Sequence, residues 1–234
     1  MFSVLVTEAW GASEAVQAQY LIERRLDLAA STEPVLLVRE RASGQRLWLK
    51  CSDGTPASPD RLVGELRILG RLTHPHLLSP LPRKAGDDEP FILYPWRAEE
   101  PLSGLELPRL APADRLRVAA ALFAVTAYLH GQTPAVLHGA PALENLWLTR
   151  GVAWLRLAGF NRASDNATPP QLEQERRQVL ELALRIMDAD GHGPAPQPRL
   201  AELGARWAAE PLKAYAEFEG ALKQAFLQRV TADL

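Results

Sequence analysis

The sequence predicts an α+β fold, with a small β-rich N-terminal half followed by a mostly helical C-terminal half. Three observations carry this. Up to about residue 90, apolar residues come in short runs rich in β-branched and aromatic types, separated by turn residues. Beyond that point they recur at helical spacing. The chain has 234 residues and is 47% hydrophobic, enough to bury the core of one large domain or of two tightly joined lobes.

Taken in order, "PVLLVRERASGQRLWLK" (34–50) holds two strand-like runs around "RASGQ", where Gly44 suits a tight turn, and so predicts an antiparallel hairpin. "SPDRLVGELRILGRL" (58–72) sets Leu62, Leu66 and Leu69 at helical spacing, with Ser58 and Asp60 as candidate caps. "HPHLLSPLP" (74–82) and "PFILYPW" (90–96) return to strand-like runs broken by prolines. "PADRLRVAAALFAVTAYLHG" (112–131) places Val118, Leu122, Val125 and Leu129 on one helix face and ends at Gly131 as a C-cap. A second such helix, beginning near Glu173, carries Val179, Leu182, Ala183 and Ile186. "GHGPAPQP" (191–198) reads as a loop. A last helix starts with Pro211 in its first turn and carries Leu212, Tyr215, Phe218, Leu222 and Phe226.

Composition removes several functional classes. Lys and Arg number 26 against 28 Asp and Glu, a net charge of -2, which gives no electrostatic case for nucleic acid or an anionic membrane surface. The N-terminus lacks a basic leader, and the most apolar stretch, "VAAALFAVTAYL" (118–129), is shorter than the roughly 18 residues a bilayer span needs. A soluble, cytoplasmic protein without membrane insertion is expected. The lone Cys51 rules out an intramolecular disulfide framework and reads as a strand or turn residue. His74, His76, His130 and His192 show no metal-ligand spacing, and Trp10, Trp96, Trp147, Trp154 and Trp207 read as core by default.

The order of motifs resembles the eukaryotic-like Ser/Thr protein kinase fold over roughly residues 20 to 190. "GQRLWLK" is similar to the kinase strand that ends in the nucleotide-binding lysine, with Val35 preceding Lys50 by the family's interval. "GELRILGRLTHPHLL" is similar to the helix that follows, with Glu65 where the lysine's partner belongs. "AYLHGQTPAVLHGAPALENLWL" is similar to the catalytic-loop segment, His138 and Asn145 standing at the ends of the His-Arg-Asp-Leu-x-x-x-Asn pattern. The resemblance implies a two-lobed kinase-like fold: an N-terminal extension over 1–19, a β-rich N-lobe over 20–95, and a reduced helical C-lobe over 96–234.

Under that resemblance the phosphoryl-transfer groups are missing. Ala140 stands where the catalytic aspartate belongs, and a methyl group cannot accept a proton. Ala142 replaces the lysine two places on. The metal-binding Asp-Phe-Gly is replaced by "LAGFNRA", with Ala158 or Gly159 as the aspartate's counterpart and Phe160 keeping the phenylalanine's packing role. A lone Asn145 is a poor magnesium site. "LDLAASTEPV" (26–35) has no glycine for close approach to phosphate. Trp48 shares a strand face with Lys50 and would fill the adenine volume. The stretch from "AGF" to the next helix is too short for an activation segment, and no Ala-Pro-Glu follows.

The sequence therefore predicts a catalytically inactive pseudokinase without cofactor or metal. Lys50, Glu65, Trp48, His138, Asn145 and Phe160 would be the remnants of a nucleotide site, with Lys50 and Glu65 kept as a structural pair. Its partner would be another protein, received by the Glu65 helix or by the terminal segments (1–19 and 199–234). Two alternatives stand beside this. One is an atypical phosphotransferase or nucleotide-gated switch that uses Lys50, Glu65 and Asn145 with a carboxylate from Glu144 or Asp165. The other is a structural subunit of a larger assembly.

Overall fold

A computed structural model describes residues 14–26, 33–82, 91–102, 107–149 and 154–187. The expected 191–198 loop, the last helix, Trp10, Trp207 and His192 lie outside the described residues, as does most of the glycine-free stretch after Leu26. The fold is mixed α+β with antiparallel sheets. The described residues fall into two compact units. Unit 1 comes from the chain up to Thr73, from Leu78–Ala98 and from Gly159–Ala163. Unit 2 comes from His74–Leu77, from Glu99–Ala158 and from Ser164 onwards.

Among the described residues, unit 1 starts with a short helix, α1 (Glu14–Gln19), which runs into strand β1 (Tyr20–Leu26). The hairpin follows as β2 (Val35–Glu40) and β3 (Arg46–Lys50), joined through Gly44 at φ 73°, a conformation glycine adopts without the penalty of a Cβ. With β4 (Ile92–Pro95) these strands make a four-stranded antiparallel sheet in the order β1-β2-β3-β4. Its register sets Leu36 opposite Leu49 and Val38 opposite Leu47 on one face; these join Val16, Tyr20, Cys51 and Phe91 in a core. The other face pairs Leu37 with Trp48 and Val35 with Lys50. Both faces are covered, which is why "VLLV" runs apolar without alternating. Sequence reading missed β1: it is an edge strand whose charged "ERR" segment breaks the apolar run and keeps the edge from pairing further.

Helix α2 (Ser58–Leu69) starts without a side-chain cap, a correction to the roles expected for Ser58 and Asp60. Ser58 is buried and its hydroxyl instead accepts a hydrogen bond from the Asp53 N–H at 3.1 Å. Its buried face holds Leu62, Glu65, Ile68 and Leu69, while Leu66 is only half-buried, so a carboxylate occupies the centre of the apolar stripe.

Unit 2 has a three-stranded antiparallel sheet of β5 (Glu99–Pro101), β6 (Leu146–Thr149) and β7 (Trp154–Leu157). Its two long helices are α3 (Pro112–His130) and α4 (Pro169–Met187), which pack on one another. The four apolar residues expected on α3 are all buried, and so are Ala119, Phe123 and Thr126, so the helix is enclosed on most sides. It ends on Gly131, whose N–H reaches the Ala127 carbonyl at 3.0 Å with φ -83°, so the cap does not use glycine's left-handed freedom. Helix α4 begins four residues before Glu173. Thr168 and Gln171 make the returning half of a capping box, the Gln171 side-chain oxygen accepting from both the Thr168 N–H and its hydroxyl at 2.8 Å, and the two prolines of the first turn need no N–H partners.

The segment 74–82 is not a strand. Its prolines remove donors, and only Leu77 bridges to Leu157, with the Leu157 N–H on the His76 carbonyl at 2.9 Å. Trp147 is buried as expected, but Trp154 is 44% exposed, lying against the His76 ring and donating to the Pro75 carbonyl. Among the described residues no helix is long and apolar enough to cross a membrane.

Truncating fully buried Trp48 to alanine should cost about 3–5 kcal/mol, whereas Val63→Ala on the exposed face of α2 should stay within about 0.5 kcal/mol of wild type. Urea unfolding of the two variants checks this contrast.

Candidate functional site

In unit 1 the end of β3 and the middle of α2 meet in a buried ion pair, Lys50 Nζ to Glu65 Oε2 at 2.6 Å. Each side chain is at most 3% exposed, so neither charge is solvated by water. Glu65 is a hub. Its other oxygen accepts from the Tyr94 hydroxyl of β4 at 2.9 Å and from the Phe160 N–H at 3.3 Å. Phe160 begins a 3-10 turn, Phe160–Arg162, that follows Gly159 in the left-handed region at φ 77°. Burial first, then the charge and hydrogen bond of Glu65, push the Tyr94 phenol well above its usual value, so it remains a donor.

A second carboxylate, Glu33, stands just before β2 with its side chain fully buried. It lies 3.8 Å from Lys50 Nζ, accepts from Arg61 Nε of α2, and accepts from Asn161 Nδ2 at 3.3 Å. Arg61 also holds Asp53 at 2.8 Å. Burial would raise the Glu33 carboxyl, but the Arg61 hydrogen bond and the Lys50 charge outweigh it and bring it below its usual value. Trp48 lies on the same sheet face as Lys50, opposite Leu37 and Tyr94, with the Arg24 guanidinium 5.7 Å from its ring centre.

In unit 2 the segment from His138 to Asn145 is bound to itself. His138 Nε2 lies 2.8 Å from the Ala158 carbonyl, which can only accept, so the proton sits on Nε2; Nδ1 then accepts from the Ala140 N–H at 3.3 Å. Asn145 Nδ2 donates to the Ala140 carbonyl at 2.7 Å, its own N–H reaches the Ala142 carbonyl, and its carbonyl takes the Ala158 N–H. Ala140 and Ala142 thus serve this loop through backbone groups alone. Glu144 lines an open groove with Pro141, Ala142, Gln178, Glu181 and Arg185.

Sequence reading missed the carboxylate that anchors this loop. Glu175 of α4 accepts from the Gly139 N–H at 2.6 Å, the His138 N–H at 3.1 Å and His130 Nε2 at 2.8 Å. Gly139 turns at φ 83° to present its N–H. A signal was available: Glu175 falls in the apolar register of Val179, Leu182, Ala183 and Ile186, where a charge needs an explanation. Glu33, Arg61 and Tyr94 left no comparable trace. Among the described residues, no three His, Cys, Asp or Glu side chains converge as metal ligands. Neither a protein-family model nor a curated protein matches the chain.

Burial would raise the Glu175 carboxyl, but the His130 hydrogen bond, the nearby His138 and the Gly139 N–H hold it below its usual value. A lowered folded pKa contributes stability above the unfolded value, about 4.3, which is lost as pH falls through the folded value. Glu175→Gln should therefore show a smaller drop in melting temperature between neutral pH and acid than wild type. Glu175→Ala should lose about 3–5 kcal/mol at neutral pH. Parallel pH profiles for wild type and Glu175→Gln would refute the anchoring role.

Proposed function

We propose that the chain is a kinase-like protein that no longer transfers phosphate: a pseudokinase that binds another protein as a scaffold or allosteric regulator. On this reading residues 20–95 form the β-rich lobe, 96–234 the reduced helical lobe, and the protein works in the cytoplasm. One observation carries the proposal. The lysine that would hold nucleotide phosphates is buried and already neutralised, with Glu65 at 2.6 Å and Glu33 at 3.8 Å. A polyanionic phosphate brought to Lys50 would meet two carboxylates as well as the cation.

Other groups support the same reading. Phosphoryl transfer needs a proton acceptor and carboxylates for magnesium. Ala140 offers neither, Ala158 and Gly159 carry no acid, and the Asn145 amide already donates to the loop carbonyl. Trp48 is fully buried on the same sheet face as Lys50, which supports a cleft with no room for adenine. What the arrangement retains is shape: Lys50 and Glu65 fasten α2 to the sheet, and the exposed side of that helix presents Asp60, Val63 and Arg67. That surface is the proposed place for a protein partner.

Thermal stability with millimolar ATP, with and without magnesium, tests the proposal. No shift under either condition is expected. A ligand at about 100 times its dissociation constant would add about 2.7 kcal/mol, so a saturable rise in melting temperature would contradict an inert nucleotide site.

A further inference from the structure

We propose that Lys50, Arg61 and Asn161 form an oxyanion site whose resident ligand is the chain's own Glu33 carboxylate, and that a small external monocarboxylate takes its place when Glu33 is removed. The inference rests on unit 1 alone and does not depend on the kinase-like reading.

Three elements build the site: Arg61 from α2 and Asn161 from the turn after Gly159 donate hydrogen bonds, and Lys50 from the end of β3 adds its charge at 3.8 Å. They converge on one fully buried carboxylate. The two cations are held in place by contacts other than Glu33. Lys50 is fixed by Glu65, and Arg61 by Asp53 at 2.8 Å and the Thr55 hydroxyl at 3.3 Å. Asn161 follows Phe160, whose N–H is tied to Glu65. Lys50 and Arg61 therefore stay preorganised when the carboxylate is taken away, which is what distinguishes a binding site from a simple ion pair.

Charge selects the ligand. Without Glu33 the cations Lys50 and Arg61 face the anions Glu65 and Asp53, a balanced set. A planar monoanion the size of formate or acetate restores the single charge and the two-oxygen geometry that Arg61 and Asn161 read. Phosphate brings further negative charge toward Glu65 and Asp53 and is disfavoured. In wild type Glu33 is held on the site by the fold itself, so its effective concentration far exceeds that of any added carboxylate, which does not displace it.

The test is chemical rescue of Glu33→Ala. This variant should melt below wild type. Formate or acetate at about 50 mM should restore part of the loss saturably, as binding to the folded state alone requires. Chloride at equal ionic strength should not, and phosphate should do less. Wild type and the double variant Glu33→Ala/Arg61→Met should show no such rescue. A folded Glu33→Ala that answers formate and chloride alike would overturn the proposal, as would a wild type that responds as strongly as the variant. Should Glu33→Ala fail to fold, Glu33→Gln keeps the shape without the charge. Glu33 titrates below its usual value among Lys50, Arg61, Glu65 and Asp53, so its contribution is present above the unfolded pKa and is lost as pH falls through the folded one. Glu33→Gln should then lose less stability in acid than wild type, and identical acid profiles would overturn the assignment.

Discussion

Burying Lys50 against Glu65 is the constraint from which the rest of unit 1 follows. Removing two charges from water costs several kcal/mol per ion, and mutual attraction offsets this only when the remaining lone pairs and protons are also satisfied. Here Glu65 also accepts from the Tyr94 hydroxyl and the Phe160 N–H, and Lys50 has Glu33 3.8 Å away as a second counter-charge. Each partner comes from a different element, so satisfying the pair fixes β3, α2, β4 and the turn at Phe160 together. A buried polar network of this kind rigidifies its surroundings, and removing either member of the central pair leaves a costly buried charge.

Unit 2 solves a similar problem with one carboxylate and no lysine. Glu175 gathers two backbone N–H groups and the His130 ring, so a glycine turn between a helix and a strand is held without regular structure of its own. The polar groups of that loop are then occupied within the protein: His138 through both ring nitrogens, Asn145 through its amide. Residues that could serve chemistry are here spent on holding backbone. Alanine at 140 and 142 is compatible with that use, because only their backbone groups are called upon.

What could be read from the sequence depended on how local the cause was. The β2–β3 hairpin was legible because a glycine turn joins two β-rich runs, and α3 and α4 because their apolar period is long. The Lys50 and Glu65 pairing was legible only through spacing that resembles a kinase. Glu33 and Arg61 were not, since 28 residues separate them and neither breaks a local pattern. The strands β5 to β7 are three or four residues each, too short to establish an alternation. The segment 74–82 failed for the opposite reason: its apolar residues suggested a strand, but its prolines denied the ladder its donors. The capping box at Thr168 was legible in principle, yet the two prolines between its ends hid a helix start.

The most direct measurement is a double-mutant cycle on the central pair, Lys50→Met with Glu65→Leu, followed by urea unfolding. If the pair is the structural fastening described, each single change should cost about 3–5 kcal/mol by leaving a buried charge alone. The double variant should then cost clearly less than the sum, with a coupling of about 2 kcal/mol. Additive losses, or single variants as stable as wild type, would mean that Lys50 and Glu65 do not hold the unit together, and the structural account of the lysine would be wrong.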